Sequence, residues 1–159
     1  MKGKVVLLMG SAKDVDFCGK IAKHLEDFGL EYEYRVASAH KTPKKLLEIL
    51  EKYEREKVVY ITVAGRSNAL SGFVDANTGK PVIACPPYSE KFAGADIYSS
   101  LRNPSGIGSV VTLEPEGAAI AAAKIFALED EELAEKIKDY QLKKKREIER
   151  ADEKFRKKE

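Results

Sequence analysis

The sequence contains no tryptophan, and it has only two cysteines and two histidines among 159 residues. Cys18 and Cys85 lie far apart and show no CxxC or Cys/His ligand spacing, so the sequence predicts neither a disulfide framework nor a zinc site. We expect both cysteines to be reduced, small apolar side chains in the core. No apolar run approaches the length needed to cross a membrane, and the first predicted strand begins too early for a signal peptide. These absences favour a cytoplasmic protein without a membrane partner.

Charge of one sign is also scarce, because the formal net charge is only +2. A charge this small does not indicate nucleic acid as a partner over the whole surface. The basic excess is concentrated in the segment 130–159, which is rich in acids as well and has no glycine or proline. We interpret this segment as a C-terminal helical extension that packs one edge against the body or a neighbouring subunit, rather than as a nucleic-acid-binding arm. The whole chain, 1–159, is then expected to be a single catalytic domain.

Apolar runs of strand length alternate with amphipathic segments along the chain. The predicted strands are Lys4–Met9, Glu31–Val36, Val58–Val63, Pro81–Ala84 and Ser109–Leu113. The predicted helices are one from an Asp14 N-cap to a Gly29 stop, Pro43–Glu56, a short one ending at Asn77, and Pro115–Ala127. This alternation predicts an α/β protein, a three-layer α/β/α sandwich with a flavodoxin-like parallel sheet and C-terminal helices. Ligands of such sheets bind beyond the carboxyl ends of the strands, where the strand order reverses.

The loop after the second predicted strand, VASAHKTP, contains the most reactive group of the chain. It contains two hydroxyls and a lysine next to His40, whose ordinary pKa of about 6.5 suits proton transfer near neutrality. Thr42 is a plausible N-cap and Pro43 a favourable first helical residue, so the loop is predicted to lie at a helix N-terminus, which attracts anions. A proton carrier within an anion-binding loop suggests an enzyme that acts on a phosphorylated small molecule. A loop histidine is also often only a surface group.

Polar residues also follow the first and third predicted strands. The first loop, GSAKD, matches neither GxxxxGK(S/T) nor GxGxxG, so it does not indicate a nucleoside triphosphate or dinucleotide site. It does provide Gly10 for close backbone approach, Ser11 for a phosphate oxygen and Asp14 for a ribose diol or for capping. The third loop, AGRSNALSG, has an arginine and two serines that a simple turn would not need. After the fourth strand, the long irregular segment 86–108 is typical of a lid or a subunit-contact loop. Its aromatic side chains are expected in the core or an interface rather than stacked on a ligand.

Together these motifs resemble the 5-aminoimidazole ribonucleotide (AIR) carboxylase family of purine biosynthesis. The resemblance covers residues 5–128 and rests on GSAKD, SAHKTP, AGRSNALSG, IACPP, ADIYSSLRNPSGIG and LEPEGAA in this order. One class in the family is a mutase that moves a carboxylate from N5 to C4 of N5-carboxyaminoimidazole ribonucleotide. The other is a carboxylase that adds CO2 directly to C4 of AIR. Mutases typically have AGGAAHLPG and SAHR where this chain has AGRSNALSG and SAHK, so the resemblance favours the carboxylase, with the mutase as the alternative.

The resemblance implies a reaction without a cofactor: no ATP, metal or biotin, with CO2 as co-substrate. The enamine-like C4 attacks CO2, and a base then removes the C4 proton to restore aromaticity; His40 is the implied general acid/base. The residues implied to bind substrate are Ser11, Ser38 and Lys41 at the 5′-phosphate, Asp14 at the ribose hydroxyls, and Gly65 and Ser67 at the imidazole and carboxylate. Further candidates are Gly10, Lys13, Ala39, Arg66 and Ser71.

One position departs from the family pattern, because Lys13 stands where the usual first loop, GSxSD, has its second serine. Lys13 could contact the phosphate or point to solvent. Family members assemble as tetramers or octamers with shared sites, so we expect a homo-oligomer with the segment 86–108 and the C-terminal helices at its interfaces. A remote alternative is a non-catalytic module that binds a phosphorylated ligand without moving a proton.

Overall fold

The structure is a computed structural model that describes residues 3–156, and a five-stranded parallel sheet forms the centre of this part of the chain. Its strands are β1 (Lys4–Met9), β2 (Glu31–Val36), β3 (Val58–Val63), β4 (Val82–Ala84) and β5 (Val110–Val111). They lie in the order β2-β1-β3-β4-β5, which is the flavodoxin-like order. The order reverses between β1 and β3, so a ligand site is expected beyond the carboxyl ends of these two strands. The predicted fold class is confirmed.

Helices cover both faces of the sheet. They are α1 (Val15–Asp27), α2 (Pro43–Tyr53), α3 (Leu70–Ala76), α4 (Tyr98–Leu101), α5 (Pro115–Ala127) and α6 (Glu131–Arg156). Alternate side chains of β1 enter the two cores: Val5 and Leu7 pack with α1, α5 and α6, whereas Val6 and Leu8 pack with α2 and α3. This two-sided burial explains why β1 is apolar at successive positions rather than alternating. None of the helices in residues 3–156 is long and apolar enough to cross a membrane.

The predicted bounds of four elements are wrong by one or more residues. Helix α3 ends at Ala76, one residue before the predicted Asn77. Helix α2 ends at Tyr53 instead of Glu56, because the chain tightens into a turn in which the N–H of Glu56 donates to the carbonyl of Tyr53 at 3.0 Å. Strand β4 begins at Val82, although the Pro81 carbonyl still accepts the N–H of Tyr60 at 2.9 Å; proline has no N–H with which to extend the ladder. Strand β5 is reduced to Val110–Val111.

The two cysteines are buried and unpaired, as expected. Burial raises the pKa of Cys18 and of Cys85 to about 12, so both thiols stay protonated near neutrality. They belong to the same apolar core. Their observed role is to fill space in the core.

Helix α6 packs against the body mainly along its first half, and Lys144, just beyond its midpoint, forms an ion pair with Glu116 at 2.9 Å. Leu133 and Ile137 are buried, whereas Leu142 and Ile148 are exposed. The Tyr140 ring contacts Phe28 edge-on at 5.2 Å between centroids, and its hydroxyl donates to the Glu116 carboxylate. Of the two expected arrangements, against the body or against a neighbouring subunit, the structure shows the first half of α6 packed against the body.

Candidate active site

A pocket of about 560 Å³ lies at the carboxyl ends of the strands, where the strand order reverses. It is formed by four loops: the β1 loop (residues 10–14), the β2 loop (37–42), the β3 loop (64–69) and the β4 loop (85–89). The sequence-predicted residues in its lining are Gly10, Ser11, Lys13, Asp14, Ser38, Ala39, His40, Lys41, Gly65, Arg66 and Ser67. Residues separated by more than 50 positions in the sequence thus share one cavity.

The β1 loop is built around Ser11. The Ser11 hydroxyl accepts the N–H of Lys13 at 3.3 Å, and the Ser11 carbonyl accepts the N–H of Asp14 at 3.1 Å. Gly10 donates its N–H to the Val63 carbonyl at 3.0 Å, which joins this loop to the end of β3. The Asp14 side chain makes no capping hydrogen bond, so its capping role is not observed. Burial raises the pKa of the Asp14 carboxyl, and an interaction of that carboxyl with the backbone of Ser11 opposes this rise.

The β2 loop closes on itself and leaves His40 at its tip. The Thr42 hydroxyl accepts the N–H of Ser38 at 2.9 Å, and the N–H of Thr42 donates to the Ser38 carbonyl at 2.9 Å. The Ser38 hydroxyl in turn accepts the N–H of Lys41 at 3.1 Å. Thr42 was predicted to cap α2, but its side chain makes no capping hydrogen bond and closes the loop instead. His40 and Lys41 are exposed, so both can reach a ligand in the pocket.

The β3 loop contains a non-glycine residue in the left-handed region, Arg66, with φ of 62°. Gly65, Arg66 and Ser67 all line the pocket. The exception among the predicted site residues is Ser71, which lies in α3 outside the lining and is fully buried. Its N–H donates to the Asn68 side chain at 3.3 Å, and its hydroxyl has no hydrogen-bond partner within residues 3–156. Ser71 therefore does not lie where it could touch a ligand in this pocket.

The β4 loop was expected at this edge of the sheet, but its lining residues were not among the predicted site residues. Pro87, Tyr88 and Ser89 line the pocket, and Tyr88 is 73% exposed. Phe92 and Tyr98 are exposed as well, so none of the three aromatic residues of this segment lies in the core. The signal for Tyr88 was its position directly after the end of a parallel strand, in the sequence CPPYS. Ala64, Ala69 and Leu70 add an apolar part to the lining that the motifs did not mark.

The charges of the lining favour an anion. Lys13, Lys41 and Arg66 contribute three cationic side chains, against the single carboxyl group of Asp14. Hydroxyls from all four loops and an imidazole lie in the same pocket. Within residues 3–156, no cluster of three or more His, Cys, Asp or Glu side chains is placed to hold a metal ion. The arrangement can bind a phosphate group and exchange a proton with the molecule attached to it.

Fold and pocket together define a flavodoxin-like α/β protein whose pocket at the strand-order reversal is suited to a small anionic ligand. Comparison with known proteins narrows this class. The chain belongs to the AIR carboxylase family, whose model matches residues 4–147. The family predicted from the motifs is therefore confirmed.

Two relatives from different organisms share one name. The chain is 61% identical over 153 residues to phosphoribosylaminoimidazole carboxylase of Archaeoglobus fulgidus, covering 96% of this chain and 85% of that protein. It is 54% identical over 143 residues to the enzyme of the same name from Treponema denticola, covering 88% and 89% of the two chains. The crystal structure of Treponema denticola PurE superimposes with a TM-score of 0.93 at 50% identity, covering 96% of this chain and 98% of that one.

Proposed function

We propose that this chain is a phosphoribosylaminoimidazole carboxylase, which reversibly adds CO2 to C4 of AIR to give 4-carboxy-AIR. The main support is the position of His40, at the tip of a closed loop in the pocket that also holds the cationic side chains. The names of the two relatives, which are 61% and 54% identical over the aligned residues, agree with this activity. The pathway is then de novo purine biosynthesis.

In the proposed reaction, the C4 carbon of AIR uses its enamine-like electron pair to form a bond to the carbon of CO2. C4 then holds both a hydrogen and a carboxylate, and His40 removes that proton as the general base. The electron pair of the C–H bond restores the aromatic ring. In the reverse direction, protonated His40 gives the proton back to C4 and CO2 leaves. The reaction is balanced without ATP, metal or biotin, and we propose that no cofactor takes part.

The lining suggests how the substrate would lie. Ser11, Ser38 and Lys41 would hold the 5′-phosphate, and Asp14 would accept hydrogen bonds from the ribose hydroxyls. Gly65 and Ser67 would border the imidazole and the new carboxylate, with Arg66 and Lys13 as additional cations. The apolar side chains of Ala64 and Leu70 would provide the weakly polar surface that CO2 requires. The protein then aligns two reactants and transfers one proton.

The assay that tests this function supplies AIR with bicarbonate and carbonic anhydrase, without ATP, and follows the C4-carboxylated product. A parallel reaction starts from freshly made N5-carboxyaminoimidazole ribonucleotide. We expect fast product only from the first mixture, because the SAHK and AGRSNALSG loops resemble the class that uses CO2. Fast product only from the second mixture would identify a mutase instead. Nucleotide binding without product in either mixture would indicate a non-catalytic binding module.

We also propose that the chain forms a homo-oligomer, a tetramer or octamer, with pockets shared between subunits. The support is that the segment 86–108 exposes several large apolar side chains: Tyr88, Tyr98 and Leu101 are 73%, 61% and 56% exposed. Exposed apolar side chains of this kind, where they form a patch, are typical of an interface between subunits. Light scattering should give a mass of four or eight times 17.7 kDa. A monomer mass at the concentration of the activity assay would contradict this proposal.

The proposed location is the cytoplasm. The observation that favours it is that both cysteines are unpaired thiols. Unpaired cysteines are typical of proteins kept in a reducing compartment.

A further inference from the structure

The β3 loop is held in place from outside the pocket. The N–H of Arg66 donates to Oδ2 of Asp96 at 2.7 Å, across 30 positions of sequence. Because Arg66 has a φ of 62°, which residues with a Cβ rarely adopt, its backbone needs support of this kind. The same Asp96 oxygen is the nearest atom that a Cβ added to Gly65 would meet, at 3.5 Å. The Asp96 carboxylate therefore lies directly against the Gly65–Arg66 peptide.

Two serines that follow Asp96 hold the other side of the loop. The Ser99 hydroxyl accepts the N–H of Asn68 at 2.9 Å, and it lies 3.0 Å from the Arg66 carbonyl and 2.7 Å from the Asp96 carbonyl, to which it can donate. The Asn68 side chain donates to the Ser100 hydroxyl at 2.9 Å, and both groups are buried. Ser67 is thus flanked on both sides by residues that are bonded to the segment 96–100.

None of the residues Asp96, Ser99 and Ser100 lines the pocket. Any effect of these three residues on the reaction is therefore expected to act through the position of the β3 loop. Gly65 and Ser67, in contrast, are the residues proposed to border the imidazole and the carboxylate. A shift of the β3 loop would displace these two residues from the reacting atoms and leave the proposed phosphate contacts from the other loops unchanged.

We propose that Asp96 is a positioning residue of this enzyme: its carboxylate fixes the left-handed Arg66 peptide and thereby sets Gly65 and Ser67 against the reacting end of the substrate. This inference rests on the proposed carboxylase function. It deepens that function, because it separates the residues that orient the imidazole of the substrate from those that bind the phosphate. A bond to an ionised acceptor suits this role, since it is shorter and stronger than a neutral one.

The test compares Asp96→Ala and Asp96→Asn with the matched control Asp75→Ala. Asp75 also accepts a backbone N–H at 2.7 Å, from Gly108, and neither residue lines the pocket. Asp96→Ala should lower kcat/KM for AIR by roughly 10–100-fold, because misplacement by about 1 Å can have effects of this size. Asp96→Asn retains an acceptor oxygen and should recover a large part of the activity. Asp75→Ala should keep the activity of the unmodified enzyme.

Binding of ribose 5-phosphate, which has the phosphate and ribose but no base, provides the second measurement. Its Kd should change by less than about twofold in Asp96→Ala, since the β1 and β2 loops are intact. Unchanged kcat/KM in Asp96→Ala would overturn the proposal. Equal losses of turnover and of ribose 5-phosphate binding would overturn it as well, because they would indicate a general structural role.

Amide hydrogen exchange distinguishes failure of this inference from failure of the proposed function. Asp96→Ala should speed exchange at the N–H of Arg66 far more than exchange in β1, and this measurement does not depend on turnover. If the unmodified protein converts neither nucleotide and the Arg66 amide still loses protection in the variant, the positioning contact stands and only the carboxylase function is refuted. An Arg66 amide that exchanges equally fast in both proteins would refute the contact itself.

Discussion

His40→Asn should lower the turnover of AIR by about 10²–10⁴-fold, the usual contribution of a positioned acid or base. Asparagine is polar and similar in size, but it cannot take up the C4 proton. The hydrogen bonds that close the β2 loop join Ser38 to Lys41 and Thr42 and do not involve the His40 side chain. They should therefore survive the substitution. Nucleotide binding should therefore stay close to that of the unmodified enzyme. Steady-state kinetics together with equilibrium binding of AIR would measure both effects.

His24→Asn is the control for this experiment, because His24 is the other of the two histidines and lies on α1 outside the pocket. Its ring pairs with Asp27 one turn away, at 3.6 Å, on the helix surface. Turnover in His24→Asn should match that of the unmodified enzyme. If His40→Asn also turned over AIR at nearly the unmodified rate, His40 would have no part in the proton transfer.

Lys41→Ala should weaken nucleotide binding by roughly 10–100-fold, as expected for loss of a hydrogen bond between charged groups. The alanine retains the backbone N–H that donates to the Ser38 hydroxyl, so the β2 loop should keep its shape. The loss should be smaller at high salt, because salt screens the contribution of an exposed cation. Calorimetric titration with AIR at two salt concentrations would test both statements.

Lys44→Ala separates a local contact from the general effect of charge. Lys44 is an exposed cation three residues further along the chain, on α2 and outside the pocket lining. We expect Lys44→Ala to bind the nucleotide almost as tightly as the unmodified protein. Equal affinities of the Lys41→Ala and unmodified proteins would refute the assignment of Lys41 to the phosphate.

The parts of this molecule that could be predicted from sequence are those set by local patterns. The continuous apolar run of β1 and the proline at the start of α5 gave the bounds Lys4–Met9 and Pro115–Ala127, which the structure confirms. Parallel strands then place their loops at one edge of the sheet, so the pocket followed from the strand assignment. Gly29 ends α1 with a φ of 70°, as its position in the sequence predicted.

The parts that could not be predicted depend on contacts between distant residues. Thr42 has the pattern of an N-cap, yet its hydroxyl accepts the N–H of Ser38 because the β2 loop folds back on itself. Helical spacing predicts that one face of α2 carries Leu46, Leu47, Leu50 and Tyr53, but Leu47 is 37% exposed, and Ile49 is buried with the other three. Asp96 accepts a hydrogen bond from the N–H of Arg66, 30 positions away, and no periodic sequence pattern links the two residues. Local sequence patterns do not specify contacts of this range.

The contacts between the β3 loop and the segment 96–100 also constrain how this enzyme can be altered. By the resemblance described above, the β3 loop contains one of the sequence differences between the two classes of the family, so it is a natural segment to exchange in a chimera. If the β3 loop of this chain were grafted alone into a member of the other class, its amides would lose Asp96 and Ser99 as partners. If a loop from the other class were grafted into this chain, Asp96 and Ser99 would remain next to a loop that does not fit them. Residues 64–69 and 96–100 therefore depend on each other structurally, although about 30 residues of sequence separate them. An exchange of both segments together should preserve the loop, whereas an exchange of one alone should not.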